Sequence, residues 1–205
     1  MKLGEDTEHL PLRERNRQRI IQRIVKAAIE LFHTVGYEQT TMDNIAEKAE
    51  VSRGTLFNYF PTKTSLLIPF ASELFKHRVQ PEVRSYLEKQ PTTLDTLRFL
   101  FLEIGEQVLT LPDIELALQQ EFSPSPPAMK VSLHHVGYIE TLLTIVHHGR
   151  QRGEVRTDIP PEQLARYIGV LYVSLIHPLT NQFSAAQYAS EVEILLTFLR
   201  TALRP

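Results

Sequence analysis

The sequence predicts an all-α protein, with a small three-helix domain at the N-terminus and a helical bundle behind it. Three observations lead there. Apolar residues recur at helical spacing in segment after segment, and no alternating strand pattern of convincing length interrupts them. The breaks fall at proline or glycine clusters, where a helix has to stop. Finally, Thr40–Leu67, TTMDNIAEKAEVSRGTLFNYFPTKTSLL, reads as two short capped helices joined by a tight turn, a helix-turn-helix.

Residues 1–12 are polar, contain Pro11, and form an expected mobile arm. Arg13, Arg15, Arg17, Arg19 and Arg23 then crowd the start of a helix expected to run to Thr34. Its buried stripe is expected to be Ile20, Ile24, Ala27, Ala28, Leu31, Phe32 and Val35. Arginines at a helix start oppose the macrodipole. Phosphate contact would give that charge a purpose, and such an arm can enter a minor groove, although a solvated basic end reads the same way. Gly36 suits the left-handed turn that ends the helix.

Thr41 is placed to cap the next helix, in which Met42, Ile45, Ala46 and Ala49 form one apolar stripe. Glu50 and Val51 make the connection. Ser52 caps the following helix, and Val51 is spaced to staple onto Leu56. When helix 52–60 is projected at about 100° per residue, Leu56, Phe57 and Phe60 fall on one side. Gly54, Thr55, Asn58 and Tyr59 occupy the opposite arc. A solvated face usually carries Glu and Lys. This one holds a glycine, at a cost of roughly 1 kcal/mol relative to Ala, together with hydroxyl and amide groups. A glycine admits close backbone approach, and the polar groups can donate to phosphates and base edges. An ordinary helical hairpin with a polar outer side is the competing interpretation.

Pro61 suits the first turn of a fourth helix over 62–79, expected to link the two lobes. Further helices are expected near 82–89, 93–110, 112–121, 128–150, 161–177 and 185–203. Ser123-Pro124-Ser125-Pro126-Pro127 is a stiff linker, and Gly149–Pro161 a turn-rich connection. The domain boundaries expected are an arm over 1–12, a helix-turn-helix domain over 13–63 and a helical domain over 64–205.

The run from Ala27 to Leu67 resembles the DNA-binding domain of the TetR family of transcriptional regulators. The matching elements are A-x-x-L-F-x-x-x-G-Y-x-x-T-T, then I-A-x-x-A, then V-S-x-G-T-L-F-x-Y-F-x-x-K-x-x-L-L. There are two departures: Glu50 stands where glycine is common in the family, and Phe57 where tyrosine is common. The resemblance covers the first third of the chain. It implies that Arg17, Thr41, Ser52, Arg53, Gly54, Thr55, Asn58, Tyr59 and Lys63 face DNA, with Lys63 on the backbone. It also implies that the last two helices pair with their symmetry mates in a four-helix bundle. The apolar stripes Leu164, Ile168, Leu171, Leu175 and Val192, Leu195, Leu196, Leu199 are the expected dimer interface, although they would serve equally as internal core. A twofold dimer sets two recognition helices about 34–36 Å apart and demands a near-palindromic operator.

A small-molecule site between bundle helices would have mainly apolar walls and a few polar groups. Phe99, Glu103, Glu106, His134, Tyr138, Tyr172 and Ile176 are the candidates, each of which reads as a packing or surface residue when taken alone. The expected function is a repressor bound to double-stranded DNA as a homodimer and released by a small, mainly apolar effector. The alternative is the same fold under a protein partner's control, or constitutive.

Composition agrees without being specific. The 205 residues are 42% hydrophobic and 22% charged, which suits a packed core. The lack of cysteine excludes disulfides, cysteine nucleophiles and thiolate metal sites. No apolar run approaches a membrane span, so a soluble, cytoplasmic protein without a membrane partner is expected. Net charge is −2, yet Leu10–Lys63 holds nine Lys or Arg against six Asp or Glu, an excess of +3 where phosphates would need it. Adjacent histidines (His134–His135, His147–His148) point about 100° apart on a helix and do not chelate, so no metal is expected, nor any cofactor. No Ser-His-Asp spacing, nucleophile elbow or phosphate loop suggests an enzyme.

Overall fold

A computed structural model describes residues 11–109, 137–176 and 184–205, with the side chains of all of these except 107–109, 175 and 176. Most of the expected arm, helix 112–121, the start of helix 128–150 and the Ser123–Pro127 linker lie outside the described residues. So do His134, His135 and His177. Every element among the described residues is helical: α1 Leu12–Thr34, α2 Met42–Lys48, α3 Arg53–Tyr59, a 3₁₀ turn Thr64–Leu66 and α4 Leu67–Leu74. A π-helical stretch, Phe75–Val79, follows, and then α5 Gln80–Glu88, α6 Thr93–Leu109, α7 Tyr138–Gln151, α8 Pro161–Ile176 and α9 Ala185–Leu203. The segment expected as helices 62–79 and 82–89 is therefore resolved into shorter pieces. Pro81 is the physical reason, because it brings no N–H to an α-turn. The π turn just before it carries the Gln80 N–H back to the Phe75 carbonyl, five residues earlier.

The chain forms two compact units, Met1–Phe70 and Ala71–Pro205, so the first unit runs a little past the expected boundary at Lys63 and the division falls inside α4.

In the first unit, α1 buries Ile24, Val25, Ala27, Ala28 and Phe32, and the same core takes in Ile45, Leu56, Leu66, Leu67 and Phe70. Phe32 sits edge-on to Tyr37 at 5.0 Å and tilted to Phe70 at 5.7 Å. The stripe expected for α1 needs one correction. Val35 is the C-cap and is 50% exposed, because the helix ends there and the chain turns through Gly36 at φ 93°. Val25 is buried, while Ile20 and Leu31 are half-buried.

The two short helices hold their angle through their ends. Thr41 and Asn44 form a reciprocal capping box at the start of α2, with the Thr41 hydroxyl accepting from the Asn44 N–H at 3.1 Å. At its end, the Glu50 N–H bonds the Glu47 carbonyl and the Val51 N–H bonds the Ala46 carbonyl, the two crossed bonds of a Schellman motif. That motif places Glu50 in the left-handed region at φ 51°. Arg23 closes the corner by donating to the Ala49 carbonyl at 2.5 Å and the Glu50 carbonyl at 2.9 Å. Ser52 then caps α3 by accepting from the Thr55 N–H at 3.1 Å.

The second unit packs α6, α7, α8 and α9 around one apolar cluster containing Leu97, Phe101, Leu142, Ile145, Ile168 and Val192. Most of the stripes expected as the dimer interface are covered within the chain. Leu164, Ile168, Val192, Leu195, Leu196 and Leu199 are buried within the chain, and Leu171 is half-buried; the Leu175 side chain lies outside the described residues. A helix stripe reports that a face is covered but not by what, and here the chain's own helices cover it. Among the described residues, the large apolar side chains that α8 and α9 leave exposed are Tyr167, Val170, Ile194 and Phe198, at 49%, 38%, 61% and 57%.

Glu50 carries a testable cost, because a side chain in the left-handed region loses about 1 kcal/mol that glycine does not. Its carboxylate pairs with Arg23 at 3.2 Å but is 85% exposed, so that pair contributes little. Glu50→Gly is expected to raise the melting temperature by roughly 2–4 °C in scanning calorimetry, and an unchanged or lower value would refute the strain.

Candidate nucleic-acid interface

The outer surface of α3 carries Ser52, Arg53, Gly54 and Asn58 exposed, with Thr55 and Tyr59 half-buried. Beneath it, Leu56 and Phe60 anchor the helix to the core. Phe57 was expected on the buried side but is only half-buried, with the Arg53 guanidinium 5.5 Å from its ring. Arg53 also pairs with Asp43 of α2 at 3.2 Å.

Gly54 is informative because nothing among the described residues requires it. A Cβ placed there would meet only the Ser52 Oγ, at 4.0 Å, and the backbone is not left-handed. The missing side chain leaves open surface on the side of α3 turned away from the core.

Beside this surface, Arg13, Asn16 and Arg17 of α1 line a cleft with Asn58 and Tyr59 of α3. Arg17 is exposed and rests on Glu14 at 3.2 Å, a weak surface pair that a phosphate can outcompete. Thr41 and Ser52 are exposed and spend part of their hydrogen-bonding capacity as caps. The Thr55 hydroxyl lies 2.8 Å from Ser52 Oγ, whereas Asn58 and Tyr59 on the same arc make no side-chain hydrogen bond among the described residues.

Lys63, expected to face the DNA backbone, also makes contacts within the protein. Its ammonium donates to the Tyr37 carbonyl at 2.8 Å and the Glu38 carbonyl at 3.2 Å, and it stands 4.3 Å from the Tyr37 ring. Lys63 clamps the turn after α1, and only one of its three donors is left for a phosphate. Arg23, counted above in the basic end of α1, is likewise committed to the α2–α3 corner.

The effector candidates divide. Tyr138 and Tyr172 come together, their rings 5.8 Å apart, and a third phenol that the sequence reading missed joins them. Tyr188 donates to the Phe101 carbonyl at 2.6 Å, and Tyr172 lies 2.5 Å from the Tyr188 hydroxyl. Tyr188 stands one turn before Val192 on the buried stripe of α9, and that spacing was the available signal. Gly105 makes room for it, since a Cβ there would come within 2.1 Å of the Tyr188 ring. Burial pushes all three phenols well above their ordinary value, so they stay protonated. Phe99 instead stacks on Tyr86 at 4.4 Å, Glu106 is exposed, and Glu103 is half-buried. His134 and the Ile176 side chain lie outside the described residues. A separate cleft of about 330 Å³ opens between α5 and α7, lined by Gln80, Arg84, Glu140 and His148 among others, and none of the described candidates borders it.

Residues 24–68 match the sequence pattern of the family described as "Bacterial regulatory proteins, tetR family". The chain is 26% identical over 200 residues to the HTH-type transcriptional repressor KstR of Rhodococcus jostii, covering 96% of this chain and 88% of that one. It is 30% identical to the crystal structure of Thermus thermophilus FadR, a TetR family transcriptional repressor in complex with lauroyl-CoA. That structure superposes with a TM-score of 0.73 over 87% of this chain and 92% of FadR. FadR from Bacillus subtilis in complex with stearoyl-CoA is 20% identical, with a TM-score of 0.59 over 86% of this chain and 98% of that one, and shares the fold. Among the described residues no helix is long and apolar enough to cross a membrane.

Lys63→Ala is expected to destabilise the protein by about 1–2 kcal/mol in urea titration, because two charged hydrogen bonds and a cation–π contact are lost. Tyr59→Ala should weaken DNA binding with no such loss. Equal stability of Lys63→Ala and wild type would show the clamp to be idle.

Proposed function

The chain belongs to the TetR family of bacterial transcriptional regulators, and on that footing we propose that it is a repressor that binds a near-palindromic operator as a homodimer and is released by a fatty acyl-CoA or similarly apolar ligand. The observation that carries DNA recognition is the surface of α3 at Gly54. A glycine in the first turn of a helix, with open space around its Cα and no left-handed backbone to justify it, makes sense when something outside the chain must come close. A phosphodiester backbone is such a partner, and the arginines and amides around it suit phosphate and base edges. Asn58 is the leading candidate to read a base, with Arg17, Thr41, Ser52, Arg53, Thr55 and Tyr59 positioning the helix on the backbone.

For the homodimer, the support is the exposed apolar surface Tyr167, Val170, Ile194 and Phe198, which lies on the two helices that pair in relatives. It replaces the buried stripes as the candidate interface. Support for the effector is the likeness to a repressor crystallised with lauroyl-CoA, joined to a mainly apolar core that holds a few convergent hydroxyls. Release would follow from unequal affinity of the ligand for the DNA-competent and incompetent arrangements of the dimer.

Fluorescence anisotropy on duplex DNA from beside its own gene, at fixed salt, tests the reading. Lauroyl-CoA should weaken binding at least about tenfold, an ordinary allosteric coupling, and no change would remove the acyl-CoA effector. Gly54→Ala should stabilise the fold by up to about 1 kcal/mol while weakening DNA binding; full DNA affinity would refute the role given to Gly54. Ile194→Glu with Phe198→Glu should convert the dimer to monomer in sedimentation, and a persisting dimer would place the interface elsewhere.

A further inference from the structure

The phenols of the second unit are unequally provided for. Tyr188 donates to the Phe101 carbonyl at 2.6 Å, and Tyr172, stacked on the Phe101 ring at 4.3 Å, lies within hydrogen-bond distance of both that carbonyl and Tyr188. Two hydroxyls and one carbonyl thus satisfy one another. The Tyr138 hydroxyl is buried and has no hydrogen-bond partner among the described residues. Its ring lies edge-on to Phe75 at 5.9 Å, within the cluster that includes Leu142 and Ile168.

A lone O–H in such surroundings is costly, and phenylalanine would fill the same volume without that cost. Burial keeps the group protonated, so it offers a donor at any ordinary pH. Its neighbours are apolar side chains, and its single unspent donor suits one acceptor.

We infer that the Tyr138 hydroxyl is the donor that meets the carbonyl oxygen of the effector's acyl thioester. This rests on the reading above that an acyl-CoA occupies Ala71–Pro205. A thioester carbonyl loses its water when its chain enters an apolar core, and the hydroxyl already waiting there replaces it. Recognition is then built on a pre-existing deficit: the ligand supplies the bond that the empty protein lacks. Gly169 lies against this site, since a Cβ there would come within 3.3 Å of the Tyr138 ring and 3.0 Å of Ile139. An occupant beside Tyr138 therefore has to move α7 against α8, which couples the bond to a change in packing.

The test is a two-by-two titration by calorimetry on the full chain. Wild type and Tyr138→Phe are each titrated with lauroyl-CoA and with S-dodecyl-CoA, the thioether that lacks the carbonyl oxygen. Wild type should prefer the thioester about tenfold, the worth of one hydrogen bond, and Tyr138→Phe should bind the two alike. Ligand-free Tyr138→Phe should also melt higher than wild type, because the orphaned donor is gone. The inference is overturned if Tyr138→Phe keeps the thioester preference, if wild type binds both compounds equally, or if ligand-free Tyr138→Phe melts lower. In each of those cases the acyl-CoA reading survives wherever wild type binds lauroyl-CoA. If wild type binds neither compound, that reading fails and takes this inference with it.

Discussion

How α3 stands away from the core depends on one corner, Ala49–Ser52. Four residues must end α2, reverse the chain and begin α3, and backbone groups at both helix ends need partners that the helices cannot supply. The crossed bonds from Glu50 and Val51 satisfy the last carbonyls of α2, and Ser52 satisfies an amide of α3. Arg23 binds two further carbonyls at the corner from α1. With the corner set, Leu56 and Phe60 anchor α3 and its opposite arc is left outward. The solution carries strain, since a non-glycine residue sits at φ 51°. The Glu50 carboxylate that comes with it pairs with Arg23, which keeps a negative charge near the outer surface partly neutralised.

The basic character of the first unit divides into two jobs. Arg23 and Lys63 are structural cations that bind backbone carbonyls, whereas Arg13 and Arg17 line the open cleft beside α3. Net charge counts all of these equally. Only partners and exposure separate a cation that holds a turn from one free to meet a phosphate, and the positive excess near α3 is thus smaller in effect than the residue count suggests.

Much of the fold was legible in the sequence because its signals are local. A cap needs a hydroxyl at one position and an amide a few residues on, so Thr41 and Ser52 were visible as caps, and Gly36 as a left-handed turn, without any tertiary information. The ends of α1 and α9 and the start of α8 likewise fall close to where periodicity and breakers put them. Pro81 misled, since it marks a helix break in sequence while the backbone absorbs it with a π turn. The candidate effector site was half legible. Tyr138 and Tyr172 were named, but Tyr188, far along the chain on α9, joins them only when α6, α8 and α9 converge on the Phe101 carbonyl.

What the sequence determined alone is therefore the local grammar: helices with their caps, a tight turn between α2 and α3, and an outer arc on α3 too small and polar for an ordinary solvated face. Tertiary structure decided which surface each stripe meets. Periodicity states that one side of α8 or α9 leaves water, and the same leucines would leave it against a second subunit or against α6 and α7. Burial within the chain assigns them to the latter and leaves Tyr167, Val170, Ile194 and Phe198 outside. The physical reason is that the hydrophobic effect is non-directional: it fixes how much apolar surface must be covered, while packing geometry chooses the cover.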